Sequence, residues 1–252
     1  MIQFVSFDTT KRFVQSIHYS KVMPRITKAS IGWFIDNELV GLMTLGYGVR
    51  PKHTINILFP SLDVCDYFEL GKLCMRDEMP KNSESMFISK CIKFIKSNFP
   101  EKLILFSWAD GIIGKPGYVY QASNFYYGGY IWTEMYIDEN GTRIHPRTFQ
   151  GISTVKSSGK MNSRAFAVAE AMNIKKYYGL QFRYVYPLCN KWKWKELQDE
   201  SPFKWTKKYP KDVDCKWRRQ IAKGKREDCG MPPFKITNYV NKQNSQPSLF
   251  FE

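Results

Sequence analysis

Apolar and polar residues alternate over several short stretches of the chain, which is the pattern of β-strands with one buried face. Residues 30–35 and 39–47 form two such stretches, and Asp36 and Asn37 between them favour a tight hairpin turn. The same pattern predicts further strands at 68–75, 103–108, 130–137 and 183–188. Sheet structure is therefore expected through most of the chain.

Apolar residues at helical spacing predict helices between these strands. The longest helix begins at Ser83 or Ser85, either of which can cap it, and runs to Asn98. Shorter helices are predicted within 5–19, at 118–125 and at 162–178. Residues 48–66 and the Ser/Gly-rich residues 148–160 are predicted to lack regular structure. Strands interleaved with helices predict an α/β fold with a mixed central sheet flanked by helices.

Positive charge is concentrated near the C-terminus. The formal net charge is +15, and residues 191–226 hold 13 Lys or Arg but only 5 Asp or Glu. The same stretch contains four tryptophans, Trp192, Trp194, Trp205 and Trp217. Because cations bind phosphates and indole rings stack on bases, this region predicts a nucleic-acid partner. The alternative is that the tryptophans anchor the segment to the core.

Other features of the composition exclude several classes of protein. None of the six cysteines forms a C-x-x-C pair, which favours reduced thiols over a zinc site. The chain has no apolar run of about 18 residues that would span a membrane. Its N-terminus lacks the pattern of a signal peptide. We therefore expect a cytoplasmic protein with no membrane partner.

Two features resemble the GNAT acetyltransferase superfamily. The strand at 68–75 leads through a loop to a helix N-terminus, where free N–H groups and the helix dipole favour anions. A short helix is later followed by Asn-Phe-Tyr-Tyr-Gly at 124–128. The resemblance implies acetyl-CoA or a related donor, although the superfamily's glycine-rich phosphate motif is absent. The candidate cofactor-binding residues are Pro80, Lys81, Asn82 and Ser85.

Further motifs match a narrower family. The match is densest at Ser-Trp-Ala-Asp, residues 107–110, and at Gly-Tyr-Val-Tyr-Gln-Ala-Ser-Asn-Phe, residues 117–125. Weaker matches include His-Tyr-Ser at 18–20, Glu-Leu-Gly-Lys-Leu at 69–73 and Met-Pro-Lys-Asn at 79–82. Over residues 15–190 the chain resembles the phage Mom family of DNA-modification proteins. The chain departs from the usual family residues at Lys72, Trp108 and Lys115, where Arg, Tyr and His are typical.

The resemblance implies a transferase that adds a carbamoylmethyl (acetamido) group to adenine N6 in DNA and thereby protects phage DNA from host restriction. It also implies double-stranded DNA as partner and the host cytoplasm as location, while a homodimer stays open. Attack of N6 on acetyl-CoA would join the new group through its carbonyl carbon, whereas a carbamoylmethyl group is joined through its methylene carbon. Another donor or an added step is therefore required. Iron has been associated with the family, but no ligand spacing in this sequence assigns a metal site.

Candidate site residues follow from position and residue type. Asp110 ends an apolar strand before a glycine loop, a position that faces the site in open α/β sheets, and can accept a proton from the adenine amino group. His18 is predicted as an acid–base group or metal ligand, and Tyr19 as a hydrogen-bonding or stacking group. Together with Tyr120 these residues are the catalytic candidates.

The substrate-binding candidates are Lys72, Ser107, Gln121 and Asn124. Tyr120 and Asn124 are four residues apart and are predicted to share one helix face, and amides such as Gln121 pair well with an adenine edge. The DNA-binding candidates are Lys191, Lys193, Lys207, Lys208, Arg218 and Arg219.

The predicted organisation has three parts: a GNAT-like catalytic core, a linker with a helix and strand that pack on it, and a basic Trp-rich C-terminal extension with a disordered end. Their bounds are 1–150, 151–190 and 191–252. Two other functions stay open. One is an acetyl-CoA-dependent N-acetyltransferase that acts on a small amine or a protein. The other is a non-enzymatic, basic DNA-binding protein that opposes restriction.

Overall fold

A mixed β-sheet forms the centre of the molecule. The computed structural model describes residues 1–18, 20–24, 26–144, 149 and 169–233. The strands of the sheet are β1 Ile2–Phe4, β2 Thr27–Ile35, β3 Glu38–Gly46, β4 Tyr67–Met75, β5 Ile104–Ala109, β6 Tyr126–Ile137, β7 Arg143–Ile144, β8 Lys175–Pro187, β9 Trp217–Ala222 and β10 Lys225–Cys229. Their order is β1-β2-β3-β4-β5-β8-β6-β7, with β9 paired to β8 and β10 to β9.

Helices lie on both faces of this sheet in the described part of the chain. They are α1 Phe7–Ile17, α2 Pro51–Leu58, α3 Ser83–Asn98, α4 Tyr118–Ala122 and α5 Lys191–Glu200. Alternate residues of β5 point to opposite faces: Leu105 joins the apolar cluster under α3, whereas Ile104 and Phe106 join the cluster under α2 and α5. The predicted α/β class with a mixed, helix-flanked sheet is confirmed. None of the described helices is long and apolar enough to cross a membrane.

Local sequence signals located several elements correctly. The β2–β3 hairpin turns at Asp36 and Asn37, and both have the positive φ that a two-residue turn requires. Helix α3 ends at Asn98 as predicted. In contrast, α2 lies in a stretch predicted to be irregular. Pro51 stands at its first turn, where a missing N–H costs nothing, and Ile55 and Leu58 bury its inner face.

The largest error concerns the end of the predicted helix at 162–178, whose first part, 162–168, lies outside the described residues. Residues 169–171 are helical, but β8 begins at Lys175 and runs between β5 and β6. Pairing with β6 from Lys175 onward, and with β9 at residues 177–179, supplies backbone hydrogen bonds that outweigh the local helical pattern. The predicted strand at 183–188 is the second half of β8. The predicted loop at 148–160, apart from Phe149, and the end of the chain lie outside the described residues.

The described part of the C-terminal region, up to residue 233, packs on the core. Helix α5 buries Trp194 and Leu197 against Phe59, and Trp205 stacks on Phe59 with ring centroids 5.4 Å apart. Next, β9 pairs with β8 at residues 177–179, where β5 has already ended. The basic region therefore extends the sheet and covers one of its faces.

Candidate functional site

The site lies where two parallel strands diverge. Strands β4 and β5 pair in parallel from Tyr67 to Glu69 and do not pair with each other beyond Phe106. Each continues on its outer side, β4 along β3 as far as Met75 and β5 along β8 as far as Ala109. These two strands therefore open into a fork, and Asp110 follows directly from the end of one arm.

Two hydroxyl groups close the apex of this fork. Ser107 is buried, and its Oγ lies 3.1 Å from the carbonyl oxygen of Leu70 and 2.8 Å from the hydroxyl of Tyr120. Burial raises the pKa of Tyr120 to about 12, so its phenol is neutral. The structure thus brings together Ser107 and Tyr120, which the sequence predicted as substrate-binding and catalytic residues.

The mouth of the fork carries a cluster of charged groups. Lys72 Nζ donates to the carbonyl of Ser20 at 3.0 Å, and Gln181 Nε2 donates to Asp110 Oδ1 at 3.3 Å. Burial lowers the pKa of Lys72 to about 8, although the negative charge of Asp110 opposes this shift. Burial likewise lowers the pKa of Lys115, against the attraction of Asp110. Lys72, Asp110 and Lys115 therefore share one electrostatic environment.

His18 borders the same cluster in an uncharged form. His18 Nδ1 lies 2.9 Å from the backbone nitrogen of Ser20 and 3.0 Å from its carbonyl oxygen, so the backbone of Ser20 engages this ring nitrogen in either tautomer. Burial, reinforced by the positive charge of Lys72, lowers the pKa of His18 to about 3. A neutral imidazole with Nδ1 engaged suits hydrogen bonding through Nε2 better than proton donation. Tyr19 lies outside the described residues.

Glu69 and Arg143 join this site without having been predicted. The carboxylate of Glu69 lies against Gly48, where a Cβ would come within 2.1 Å of Oε2, so a larger residue there would displace this carboxylate. Burial raises the pKa of Glu69 to about 7. The positive charge of Arg143 reaches Lys72 and contributes to lowering its pKa. No sequence signal marked Glu69, because its strand β4 also contains the charged Lys72.

The start of α3 presents a different arrangement from the one predicted. Asn82 adopts a left-handed conformation, with φ of 71°, and its side chain does not cap the helix, while Ser85 Oγ donates to the carbonyl of Asn82 at 2.9 Å. A groove of about 450 Å³ runs between α3 and the end of α4. The polar side chains that line it include Asn82, Ser85, Lys93, Lys96 and Asn124. Pro80 and Lys81 do not line this groove.

The prediction that Tyr120 and Asn124 share a helix face is wrong. Helix α4 ends at Ala122, and Asn124 has φ of 62°, which turns the chain away from the helix. Tyr120 therefore faces the fork, whereas Asn124 lines the groove. Gln121 Nε2 lies 2.9 Å from the carbonyl of Pro210 and 3.1 Å from the hydroxyl of Tyr184. These contacts brace α4 against β8 and the C-terminal region.

Most of the predicted DNA-binding cations have partners within the protein. Lys193 pairs with Glu196 at 3.0 Å. Arg218 pairs with Asp228 at 2.9 Å, and Arg219 pairs with Glu227. Lys207 donates to the carbonyl of Asn124 and lies over the ring of Tyr126. Lys191 and Lys208 are exposed.

Three of the four tryptophans in the basic region anchor it to the core. Trp194 and Trp205 are buried, and Trp217 Nε1 donates to the carbonyl of Ile112 at 2.8 Å. Trp192, at 81% exposed, presents its ring to solvent. The anchoring alternative therefore accounts for three of these rings.

The described residues contain no group of three or more His, Cys, Asp or Glu side chains that could hold a metal ion. The residues that surround Asp110 are mainly cationic, so this donor set does not fit iron. No step is therefore assigned to a metal.

Comparison with known proteins identifies the family. Residues 1–211 match the Mom protein family. The chain belongs to this family. It is 30% identical over 184 residues to the methylcarbamoylase mom of Escherichia phage Mu, an alignment that covers 73% of each protein.

Solved acetyltransferase structures were also found. An aminoglycoside 6'-acetyltransferase type Ii aligns with a TM-score of 0.41 and 10% identity, over 76% of this chain and 99% of that one. A tandem GNAT protein from the clavulanic acid biosynthesis pathway aligns with a TM-score of 0.36 and 9% identity, over 71% of this chain and 69% of that one.

Proposed function

We propose that this protein is a group transferase that adds a carbamoylmethyl group to adenine N6 in DNA. Membership of the Mom family supports a role in DNA modification, and the phage Mu relative is named a methylcarbamoylase. The observation that carries the proposal in this chain is the position of Asp110. This carboxylate lies at the mouth of the β4–β5 fork, is oriented by Gln181, and is accompanied by Lys72 and Lys115.

The product dictates how bonds must change. N6 must form its new bond to the methylene carbon of an acetamide unit, so the donor must carry a leaving group on that carbon. As the N–C bond forms, the bond from the methylene carbon to the leaving group breaks, and the leaving group departs with the electron pair. N6 loses one proton, and the carboxylate of Asp110 is the group proposed to accept it.

The cationic side chains assist the departing group. Lys72 and Lys115 are both held close enough to Asp110 for its charge to affect their pKa values. Their positive potential stabilises an anionic leaving group in a partly buried site. His18 contributes a neutral hydrogen bond, and the Ser107–Tyr120 pair fixes the apex of the fork.

Two regions are proposed for the two substrates. The groove between α3 and α4 has the Lys93 and Lys96 ammonium groups needed by a donor that carries phosphate, such as a coenzyme A derivative. Adenine in a duplex has its N6 paired, so it must leave the stack before it reaches Asp110, at a cost of about a few kcal/mol.

The deciding experiment is nucleoside mass spectrometry of DNA from bacteria that express the protein, its Asp110→Asn variant or the control Asp199→Asn. Asp199 is an exposed carboxylate on α5. We expect an adenosine species heavier by a carbamoylmethyl group in the wild type and the control, and its loss in Asp110→Asn. An acetyl increment on adenosine would instead show direct acyl transfer to N6 and would overturn the carbamoylmethyl product. Full modification by Asp110→Asn would overturn the assigned role of Asp110.

A further inference from the structure

Arg183 is a buried cation without a carboxylate partner. Its side chain, on β8, belongs to a residue that is only 9% exposed. Nη1 donates to the carbonyl of Gly128 at 2.7 Å, and within the described part of the chain Nε and Nη2 have no hydrogen-bond partner and Arg183 forms no ion pair. Burial lowers the pKa of this guanidinium, and only Tyr127 opposes the shift. Two of the three nitrogens are therefore available to a ligand.

The guanidinium is also accessible. Among described side chains, the buried polar atoms without partners are Thr10 Oγ1 and Trp194 Nε1, so Nε and Nη2 of Arg183 are not sealed from solvent. Gly129 lies beside it, and a Cβ built there would meet nothing nearer than Arg183 Nη1 at 3.6 Å. Open space therefore lies at Gly129, next to the Nη1 end of the guanidinium.

Two aromatic rings hold the guanidinium in place. Arg183 Cζ lies 4.0 Å from the ring centroid of Phe203 and 5.6 Å from that of Trp108, and both rings are half-buried. Stacking on these rings orients the plane of the guanidinium and leaves its edge for hydrogen bonds. The Nε–Nη2 edge matches two oxygens of one phosphate.

The position of Arg183 connects it to the proposed reaction. Arg183 is the cross-strand partner of Trp108, and Gln181, two residues earlier on the same face of β8, donates to Asp110. Residues two apart in a strand are separated by about 7 Å. The guanidinium of Arg183, which can donate hydrogen bonds to a phosphate, thus lies in one row with partly exposed rings and with the proposed base Asp110.

We propose that Arg183 binds a phosphate group of the substrate as a bidentate ligand, and that this phosphate belongs to the nucleotide whose base reaches Asp110. The inference rests on the proposed function. Trp108 and Phe203 then offer stacking surfaces beside that nucleotide. A phosphate of the donor would have the same chemistry, so the experiment must distinguish the two sources.

The test measures binding of a short adenine-containing duplex over a series of salt concentrations, for wild type, Arg183→Met and the control Arg12→Met. Arg12 is an exposed residue of α1. We expect Arg183→Met to reduce the slope of log K against log[salt] by about one unit, because one phosphate is no longer neutralised. A duplex with neutral methylphosphonate linkages beside the target adenine should bind the two proteins equally. Arg12→Met should retain the wild-type slope.

Coenzyme A binding by the same proteins separates the sources of phosphate. Loss of coenzyme A affinity in Arg183→Met, with DNA binding unchanged, would overturn the assignment to the DNA nucleotide. Unchanged binding of both probes by a folded Arg183→Met would overturn the site altogether. Should that variant fail to fold, Arg183→Lys keeps the charge but not the bidentate edge, and we expect several-fold weaker DNA binding with an unchanged slope. Equal affinity of Arg183→Lys and wild type would contradict the proposal.

These outcomes are independent of the group transferred. Binding requires no donor and no reaction, so an effect of Arg183 on DNA affinity would stand even if mass spectrometry found no modified adenine. Conversely, modified adenine together with unchanged binding would retain the proposed function and remove only the phosphate site.

Discussion

At the scale of single residues, burial governs the charge of the groups at the fork. His18, Lys72 and Glu69 differ in chemistry, yet each is shifted toward its neutral form, because desolvation penalises the charged one. Lys72 retains more of its charge than burial alone would leave, because Asp110 is near. The site therefore combines neutral hydrogen-bonding groups with cations that a carboxylate sustains.

Glu69 makes stability depend on pH in a defined direction. Its folded pKa is about 7, above the ordinary value of 4.5, so the folded state binds this proton more tightly than the unfolded state. The contribution of this tighter proton binding to the free energy of unfolding is fully present below about pH 4.5, and it is lost as the pH rises to about 7. Glu69→Gln should therefore be more stable than wild type by about 3 kcal/mol at pH 8, with the difference vanishing near pH 4.

Denaturant unfolding at both pH values measures this difference. Glu38→Gln, a change at an exposed position of β3, is the matched control and should show no such dependence. If the free energies of unfolding of Glu69→Gln and wild type differed by the same amount at both pH values, ionisation of Glu69 would be ruled out as the cause.

At the scale of elements, the loop that carries Asp110 depends on the C-terminal hairpin, which consists of β9 and β10. Its 3-10 turn, Gly111–Ile113, packs on β8, where a Cβ at Gly179 would clash with Ile112. Trp217 of β9 donates to the carbonyl of Ile112, and Met231 lies beside Gly114. Residues beyond the matched family region, which ends at 211, thus support the proposed catalytic loop.

Trp217→Phe tests this support. The change keeps an aromatic ring but removes the donor to Ile112, and the loss of a hydrogen bond of this kind costs about 1–2 kcal/mol. We expect modification of adenine to fall several-fold while the protein stays folded at growth temperature. Trp192→Phe, which alters the exposed ring, is the control and should keep full activity. Modification at the wild-type level by Trp217→Phe would show that the loop holds its conformation without the hairpin.

At the scale of the whole molecule, the formal net charge of +15 is the basis for expecting a polyanionic partner. The basic region cannot be removed to test this, because α5 and Trp205 form part of the core under β5. Substitution of exposed lysines without ion pairs is the appropriate change. Lys191, Lys195 and Lys208 are of this kind within the described residues.

We expect the triple variant Lys191→Gln, Lys195→Gln and Lys208→Gln to bind duplex DNA more weakly and with a smaller salt slope, by up to about 0.9 for each phosphate that is no longer neutralised. The control carries the same charge change at exposed positions elsewhere, with Lys11, Lys52 and Lys90 replaced by Gln. Equal slopes for the two triple variants would place the DNA-binding surface outside the basic region.

Sequence alone determined the features that depend on neighbouring residues. The Asp36–Asn37 turn, the span of α3 and the position of Asp110 at a strand end each follow from a local pattern, and the motifs at 107–110 and 117–125 indicated the family. Local patterns suffice there because turn geometry, helical periodicity and strand ends are set by adjacent residues.

Tertiary structure decided the features that depend on distant parts of the chain. Pairing with β6 along its whole length, and with β9 at Tyr177 and Tyr178, made Lys175–Tyr178 a strand. Contacts with Phe59 and Ile112 buried or anchored tryptophans that the sequence offered as stacking groups. Glu69 and Arg183 look ordinary in the sequence. They became site residues because burial and the absence of an ion-pair partner for Arg183 among the described residues are set by strands and loops far away in the chain. Charge state and ligand access depend on that environment, and a one-dimensional pattern does not contain it.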